Sequence, residues 1–471
     1  MASQGRHHRS IDSPAVRREL VIDVAASWVA RASGGRLVAG DGARTGLRHA
    51  VIDSREAGPG DLFVGLRGSR ADGADFAGRA LEAGAWGALV SDERAAAVAE
   101  VARASGAVAI AAADPVRALA ELARAWRSEL ACPCVGVTGS TGKTSTKDIL
   151  AAILGRRLRT HRNRENWNTE IGLPLSLLEA ERGTEALVLE MAMRGEGQIA
   201  ELARVAEPDV GVVVNVGPVH LELLETVERV AAAKAELIRA LPAGAGCVVP
   251  AGEELLADHL RTDLDTITFG PGGDVSLRSF EHGRAQIDAR GRRIALELGY
   301  GEPHNLVNTL AAVAAAIALG IEPEGRLDVR FSSLRGQVVE LDGEVTVVND
   351  CYNANPMSVR AALEHLAESP AERRIAMLGT MAELGPASER FHREIGERAE
   401  VLGIDVLVTV GEPALAYAAG FGGTTYAVLG PEEAGALLEE LAQPGDRVLV
   451  KGSRSAGLER VLGTPEPAAH R

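Results

Sequence analysis

The chain has 471 residues, too many for one hydrophobic core and, at roughly 150 residues per domain, suited to three. Hydrophobic residues at 46% and charged residues at 24% are ordinary for a folded globular protein and exclude a disordered chain. The formal charge of -15 argues against a general nucleic-acid binder, which needs clustered Lys and Arg, and no apolar run reaches the roughly 18–20 residues of a membrane span.

The first fifteen residues carry Arg6, His7, His8 and Arg9 without an apolar run, so 1–15 reads as a disordered tail and not as a secretory signal. From Ile52 to Val90 short apolar runs alternate with Gly and Asp turns, and Ala/Arg/Glu-rich helical patterns continue to about Leu130. This predicts a small N-terminal α/β domain over 16–130. Cys132 and Cys134 lack the second ligand pair of a structural zinc motif and are expected as buried, reduced thiols.

A central domain over 131–329 opens at the apolar run Cys134–Val137, followed by a glycine turn and a helix over Thr144–Leu154. Further strands are expected at Ala186–Glu190, Val210–Asn215 and Cys247–Pro250, separated by helices such as Val227–Leu241, which implies a parallel sheet covered on both faces. Asp265–Leu298 reads as short strands joined by Gly, and Asn305–Leu319 as a long Ala-rich helix. A third domain over 330–471 repeats the strand–helix rhythm, with strands at Val345–Val348, Arg374–Leu378, Val406–Val410 and Val448–Val450. It reads as Rossmann-like, so the fold class is α/β with three domains.

Gly139, Ser140, Thr141, Gly142, Lys143 and Thr144 lie between an apolar strand and a helix, where backbone N–H groups and the helix dipole hold phosphate oxygens. Lys143 would reach the terminal phosphates of ATP and the Thr144 hydroxyl would hold Mg2+. The strict eight-residue pattern wants Gly where this chain has Val137, so the loop is a shorter variant. Glu190 ends one strand and His220 lies just beyond another. Ligands of open α/β sheets gather at the carboxyl ends of strands, so both residues are expected to approach a metal–phosphate site opposite Thr144, although singly they would read as a solvated strand end and a loop histidine.

An ordered set of stretches carries a resemblance. It includes DSR at Asp53–Arg55, GDLF at Gly60–Phe63, TGSTGKTSTK at Thr138–Lys147, NTEIGLP at Asn168–Pro174 and NVGPVHLE at Asn215–Glu222. AAAKAELI at Ala231–Ile238, HNLVN at His304–Asn308, NDCYNANPMS at Asn349–Ser358, AELG at Ala382–Gly385 and KGSR at Lys451–Arg454 follow. From about Ile52 to Leu458 the chain resembles the Mur ligase superfamily. The YNANP stretch, with no DNPR stretch anywhere, resembles the branch that takes a dipeptide acceptor. The same residues would also make an Asn/Pro turn.

The resemblance implies that Lys143 contacts the γ-phosphate within a loop completed by Ser145, that Thr144 and Glu190 hold one Mg2+, and that His220 and Lys234 serve a second, with Lys234 carbamylated. His304, Asn305 and Asn308 would lie near adenine and ribose, while Arg335 and Asp350 close on ATP. Asn353, Asn355 and Lys451 would face the acceptor or the phosphates. Asp53, Ser54 and Arg55 would recognise UDP, with Asn168 and Thr169 near the pyrophosphate and muramoyl peptide.

Two positions depart from the family pattern, Ala192 where it has Gly and Thr380 where it has an acid. The implied reaction is ATP-dependent ligation of D-alanyl-D-alanine to UDP-N-acetylmuramoyl-tripeptide through an acyl-phosphate. A cytoplasmic monomer with neither nucleic-acid nor stable membrane association is expected. Two alternatives stay open: a related ligase adding a single amino acid, as a tripeptide-forming enzyme or folylpolyglutamate synthetase does, and a non-catalytic ATP-binding module.

Overall fold

The structure, a computed structural model, describes residues 22–463 apart from Asp23, Glu165, Ser333, Arg335 and Asp342. The tail expected at 1–15 and Arg335 therefore lie outside the described residues. The chain forms two compact units, one containing the described residues through Cys132 together with Trp167–Glu185, the other Pro133–Asn166 and the described residues from Ala186 onward. Among the described residues no helix is long and apolar enough to cross a membrane.

The first unit is built on a five-stranded sheet ordered Arg36–Ala39, Val108–Ala112, Gly87–Ser91, Asp61–Val64, His49–Val51. All neighbours are parallel except the antiparallel edge strand Arg36–Ala39. The helix Pro115–Leu130 starts at Asp114, whose side chain accepts from the N–H groups of Val116 and Arg117, with Pro115 in the first turn. Trp126 on that helix is fully buried and its indole donates to Ala180 O at 2.9 Å, tying Trp167–Glu185 to this unit. Three strands, Arg36–Ala39, His49–Val51 and Val108–Ala112, lie outside the Ile52–Val90 stretch where strands were expected. Val108–Ala112 is buried at every position and so shows no alternation, and its alanines merge with the helical composition on either side, broken by Gly106, a left-handed helix cap, before it and by Asp114–Pro115 after it.

Asp61 begins its strand with its carboxylate accepting from Gly58 N at 2.9 Å, and desolvation pushes its pKa up to about 6 against the pull of that hydrogen bond and of Arg48. A carboxylate with a raised folded pKa makes the unfolded chain the more acidic state, so stability falls as pH rises through roughly 4 to 6. Asp61→Asn keeps an acceptor for Gly58 and should stabilise the first unit by roughly 1–2 kcal/mol at pH 8, with the gain vanishing near pH 4. Thermal melts of both proteins across that range check it; a gain that is the same at both ends would contradict the burial account.

The second unit carries two sheets. The larger has ten strands, with Cys134–Thr138 flanked by Ala186–Glu190 and Val210–Val213 in parallel. Thr160–Arg162 closes one edge, and Gly246–Pro250 and Asp265–Phe269 extend the other in parallel. The Gly-joined segment then forms an antiparallel meander of Val275–Glu281, Arg284–Ala289 and Arg292–Leu298, with Gly325–Leu327 at the far edge. The Ala-rich helix Pro303–Ala318 and the helix Lys143–Leu154 share one core with the sheet's apolar strands. The single helix expected over Val227–Leu241 is instead two, Val227–Lys234 and Glu236–Ala240, with Lys234 ending the first.

The smaller sheet has six strands ordered Gln337–Leu341, Val345–Asn349, Asp446–Lys451, Arg373–Gly379, Val406–Val410, Thr424–Val428, parallel apart from the hairpin formed by the first two. The last strand in sequence, Asp446–Lys451, inserts between Val345–Asn349 and Arg373–Gly379. That creates a switch point, and open α/β sheets bind ligands at the carboxyl ends of strands beside such a point. Asp350, Lys451 and Thr380 are the residues found there.

Candidate active site

The strand Cys134–Thr138 is buried throughout and delivers the chain into a loop whose donors are already organised. Ser140 N and Thr141 N donate to Asn215 Oδ1 at 3.0 and 2.9 Å, and Asn215 Nδ2 donates back to Thr141 Oγ1 at 2.9 Å. Ser140 Oγ bridges to Gly217, accepting from its N–H and donating to its carbonyl. Gly142 adopts φ +73, and a Cβ there would collide with the side-chain oxygen of Asn308, so glycine is required both by conformation and by close approach. Lys143 opens the helix, its ammonium 2.9 Å from Gly139 O.

At the helix's first turn Thr144 Oγ1 donates to Glu190 Oε2 at 2.8 Å, both residues being buried. Lys147, one turn further on and wholly buried, has Nζ 3.6 Å from Glu190 Oε2, 3.8 Å from Asp148 Oδ1, and donates to Asn163 O at 2.8 Å. Asn163 in turn pairs with the Glu190 backbone in both directions. A buried carboxylate is tolerated because it is charge-paired and hydrogen-bonded. Asp148 also accepts from Arg162 and from the N–H and hydroxyl of Ser332.

Lys234 is 2% exposed, and its amine is held well below the usual lysine range, first by burial and then by repulsion from Lys143. Asn308, buried against Gly142, donates to Asn305 Oδ1 at 3.3 Å, and Asn305 donates to Glu302. His304 is exposed as a residue, yet its ring is shifted below the ordinary imidazole range by desolvation, opposed by the Asp350 and Glu302 carboxylates. The second sheet's site therefore lies within electrostatic reach of this helix.

There, Lys451 is 2% exposed and its Nζ lies 2.5 Å from Asp350 Oδ2 and 3.0 Å from Asn353 O. Asn353 Oδ1 accepts from Ala354 N. Asn355 is the N-cap of the helix Pro356–Glu368, in a reciprocal capping box with Ser358 and with Pro356 in the first turn. Its side-chain oxygen is thereby used in starting the helix. His220 does not stand alone at the strand end: its Nδ1 is 2.5 Å from Glu383 Oε2. That partner's carboxyl is depressed below the usual range, first by the hydrogen bond with His220.

In the first unit Asp53 and Arg55 form an exposed pair through the guanidinium, and Asp53 Oδ1 accepts from Arg55 N at 2.9 Å. Ser54 between them is 8% exposed. Asn168 is buried, and Thr169 lies at the start of the helix Gly172–Leu177. Contacts group these two with Asp53–Arg55 and not with the phosphate loop. Of the two family departures, Ala192 is not among the residues with positive φ, so alanine meets no strain there. Thr380 contributes its carbonyl to Ser453 N at 2.9 Å, a backbone role any residue fills.

The comparisons with known proteins agree with this geometry. Residues 48–127 match the Mur ligase family catalytic domain, 137–316 the Mur ligase middle domain, and 334–454 the Mur ligase glutamate ligase domain. The UDP-N-acetylmuramoyl-tripeptide–D-alanyl-D-alanine ligase of Synechocystis sp. is 36% identical over 431 residues, covering 88% of this chain and 91% of that one. The chain belongs to the Mur ligase family. The ligase of the same name from Bacillus subtilis is 32% identical, with 89% and 93% covered. Among solved structures, MurF from Acinetobacter baumannii superposes with a TM-score of 0.84 at 27% identity, covering 94% of this chain and 98% of that one. MurF ligase from Thermotoga maritima in complex with ADP gives 0.76 at 33% identity, covering 88% and 96%.

Within this Mur ligase three residues join the site that sequence reading did not single out: Asn215, Lys147 and Glu383. Each lies inside a quoted stretch, so position in a motif was the available signal. What the motifs could not reveal is that Lys147 turns inward and that Glu383 meets a histidine 163 positions away.

Proposed function

We propose that the chain ligates D-alanyl-D-alanine to UDP-N-acetylmuramoyl-tripeptide, consuming ATP and forming ADP and phosphate. The observation that carries the reading is the convergence of Lys143, Thr144, Glu190 and buried Lys234 about one helix N-terminus, in a chain aligned along nearly all of its D-alanyl-D-alanine-adding relatives. The enzyme acts in the cytoplasm as a monomer, on nucleotide-linked and dipeptide substrates.

A free carboxylate is a poor electrophile toward an amine. The tripeptide's terminal carboxylate therefore attacks the γ-phosphorus of ATP, ADP leaves, and an acyl-phosphate forms. The D-alanyl-D-alanine amine then attacks the acyl carbon, phosphate departs, and the amine's proton is lost. Lys143 and the loop N–H groups offset charge on the transferring phosphoryl group, which is positioning and electrostatics more than covalent catalysis.

The hard oxygen pair of Thr144 and Glu190 suits Mg2+, which takes one or two protein oxygens together with substrate phosphates. His220 and a carbamylated Lys234 would complete a second position. Bound there, Mg2+ supplies charge neutralisation at the phosphates. Asp350, Lys451 and Asn353 would serve the transferred phosphate and the acceptor, a role the family resemblance also gives Arg335; His304, Asn305 and Asn308 would serve the adenosine. Asp53, Ser54, Arg55, Asn168 and Thr169, grouped in the first unit, take the UDP-sugar end.

The deciding measurement is acceptor-dependent phosphate release with ATP and UDP-linked tripeptide. D-alanyl-D-alanine should drive turnover and single amino acids should not; turnover with a single amino acid and none with the dipeptide refutes the assignment.

A further inference from the structure

His220 and Glu383 meet under unusual backbone conditions. Both are non-glycine residues in the left-handed region, with φ of 54 and 61. Such conformations are sparsely populated by L side chains and persist where the surroundings over-determine them. Here the surroundings do so from both sides. Glu222 N donates to Glu383 O at 3.2 Å, and Gly385, at φ +57, lies so close that a Cβ would sit 3.1 Å from the Glu222 Cα. Arg194 adds an ion pair to the other Glu383 oxygen at 3.4 Å. Two turns from different sheets are thus locked together at the point where the two side chains pair.

The consequence falls on the imidazole. With Glu383 accepting from Nδ1–H, the neutral ring carries its lone pair on Nε2, the nitrogen left for a metal ion or a phosphate-bound water. Carboxylates behind ligating histidines fix tautomer and ring orientation in this way, and their loss typically weakens metal affinity 10–100-fold.

We propose that Glu383 is a positioning residue for His220: the third domain supplies the carboxylate that fixes the imidazole's tautomer and aim, so docking of the Ala382–Gly385 turn completes the second Mg2+ position. Mg2+ competence is thereby coupled to the domain that binds the acceptor. The inference rests on the reading of His220 as a metal-side residue.

The experiment titrates Mg2+ into the full-length protein with the non-hydrolysable analogue β,γ-imido-ATP, following analogue binding by calorimetry. Glu383→Ala should raise the Mg2+ concentration for half-maximal analogue binding by about 10–100-fold. Glu383→Gln, which keeps an acceptor for Nδ1–H, should stay within a few-fold of the parent. Thermal melts confirm that each variant is folded; if the Ala variant is not, Glu383→Leu, which fills the space but offers no acceptor, takes its place with the same expected shift. The double variant with His220→Ala should be no worse than His220→Ala alone, because the pair acts as one unit. If His220→Ala shifts the Mg2+ dependence and Glu383→Ala does not, the positioning role is overturned while the metal-side reading stands. If neither shifts it, the metal-side reading of His220 itself fails.

Discussion

Lys143→Ala will lower acceptor-dependent phosphate release by about a thousandfold or more while the protein stays folded. The size follows from the kind of catalysis. Phosphoryl transfer offers the protein little covalent work, and removing a single preorganised positive group from the transferring phosphoryl typically costs a factor of about 10³–10⁵. Lys143 opens the helix directly after Gly142, which packs on Asn308, and its Nζ lies across the loop at Gly139 O. Truncation therefore removes charge without disturbing the Asn215 bonds that shape the loop. Steady-state phosphate release and a thermal melt check both halves: a variant within tenfold of parent activity would remove Lys143 from the chemistry, and one that no longer melts cooperatively would make it a structural residue.

The phosphate loop was legible from sequence because three local signals coincide: a continuous apolar run, glycines at the turn, and a helical pattern beginning at once. Each acts over a few residues, and the strand and helix fall within one residue of expectation. The strand order of the last sheet was not legible, because Asp446–Lys451 reaches its place between two earlier strands through contacts 70 and more positions apart. Long-range pairing of this kind leaves no periodic mark. The same limit explains Trp167–Glu185, which follows the phosphate-loop helix in sequence yet packs with the first unit through Trp126 and Ala180. Lys234 presents the opposite case. A lysine in an Ala/Glu-rich helix reads as solvent-facing, and only the resemblance marked it; the structure buries it as the last residue of the helix Val227–Lys234.

That burial makes Lys234 the second decisive position. Lys234→Met, similar in shape and apolar, should reduce turnover by at least about a hundredfold and at the same time raise the melting temperature. The two effects share one cause. Burial first, and the nearby Lys143 second, disfavour the ammonium and shift the amine toward its neutral form. On the proposed reading the neutral amine would add to CO2 to give a carbamate and a proton, replacing a costly buried cation by an anion beside Lys143 suited to Mg2+.

For the unmodified lysine the folded pKa is depressed, so between that value and about 10.4 the unfolded chain binds the extra proton and stability rises with pH. The stability advantage of Lys234→Met over unmodified protein should therefore be largest at neutral pH and shrink as pH approaches 10. Activity of the parent should fall in CO2-depleted buffer and return with bicarbonate, a response the Met variant cannot show. A Met variant with parent-like turnover, or a parent indifferent to CO2 removal, would show that the amine itself, and not its carbamate, serves the site.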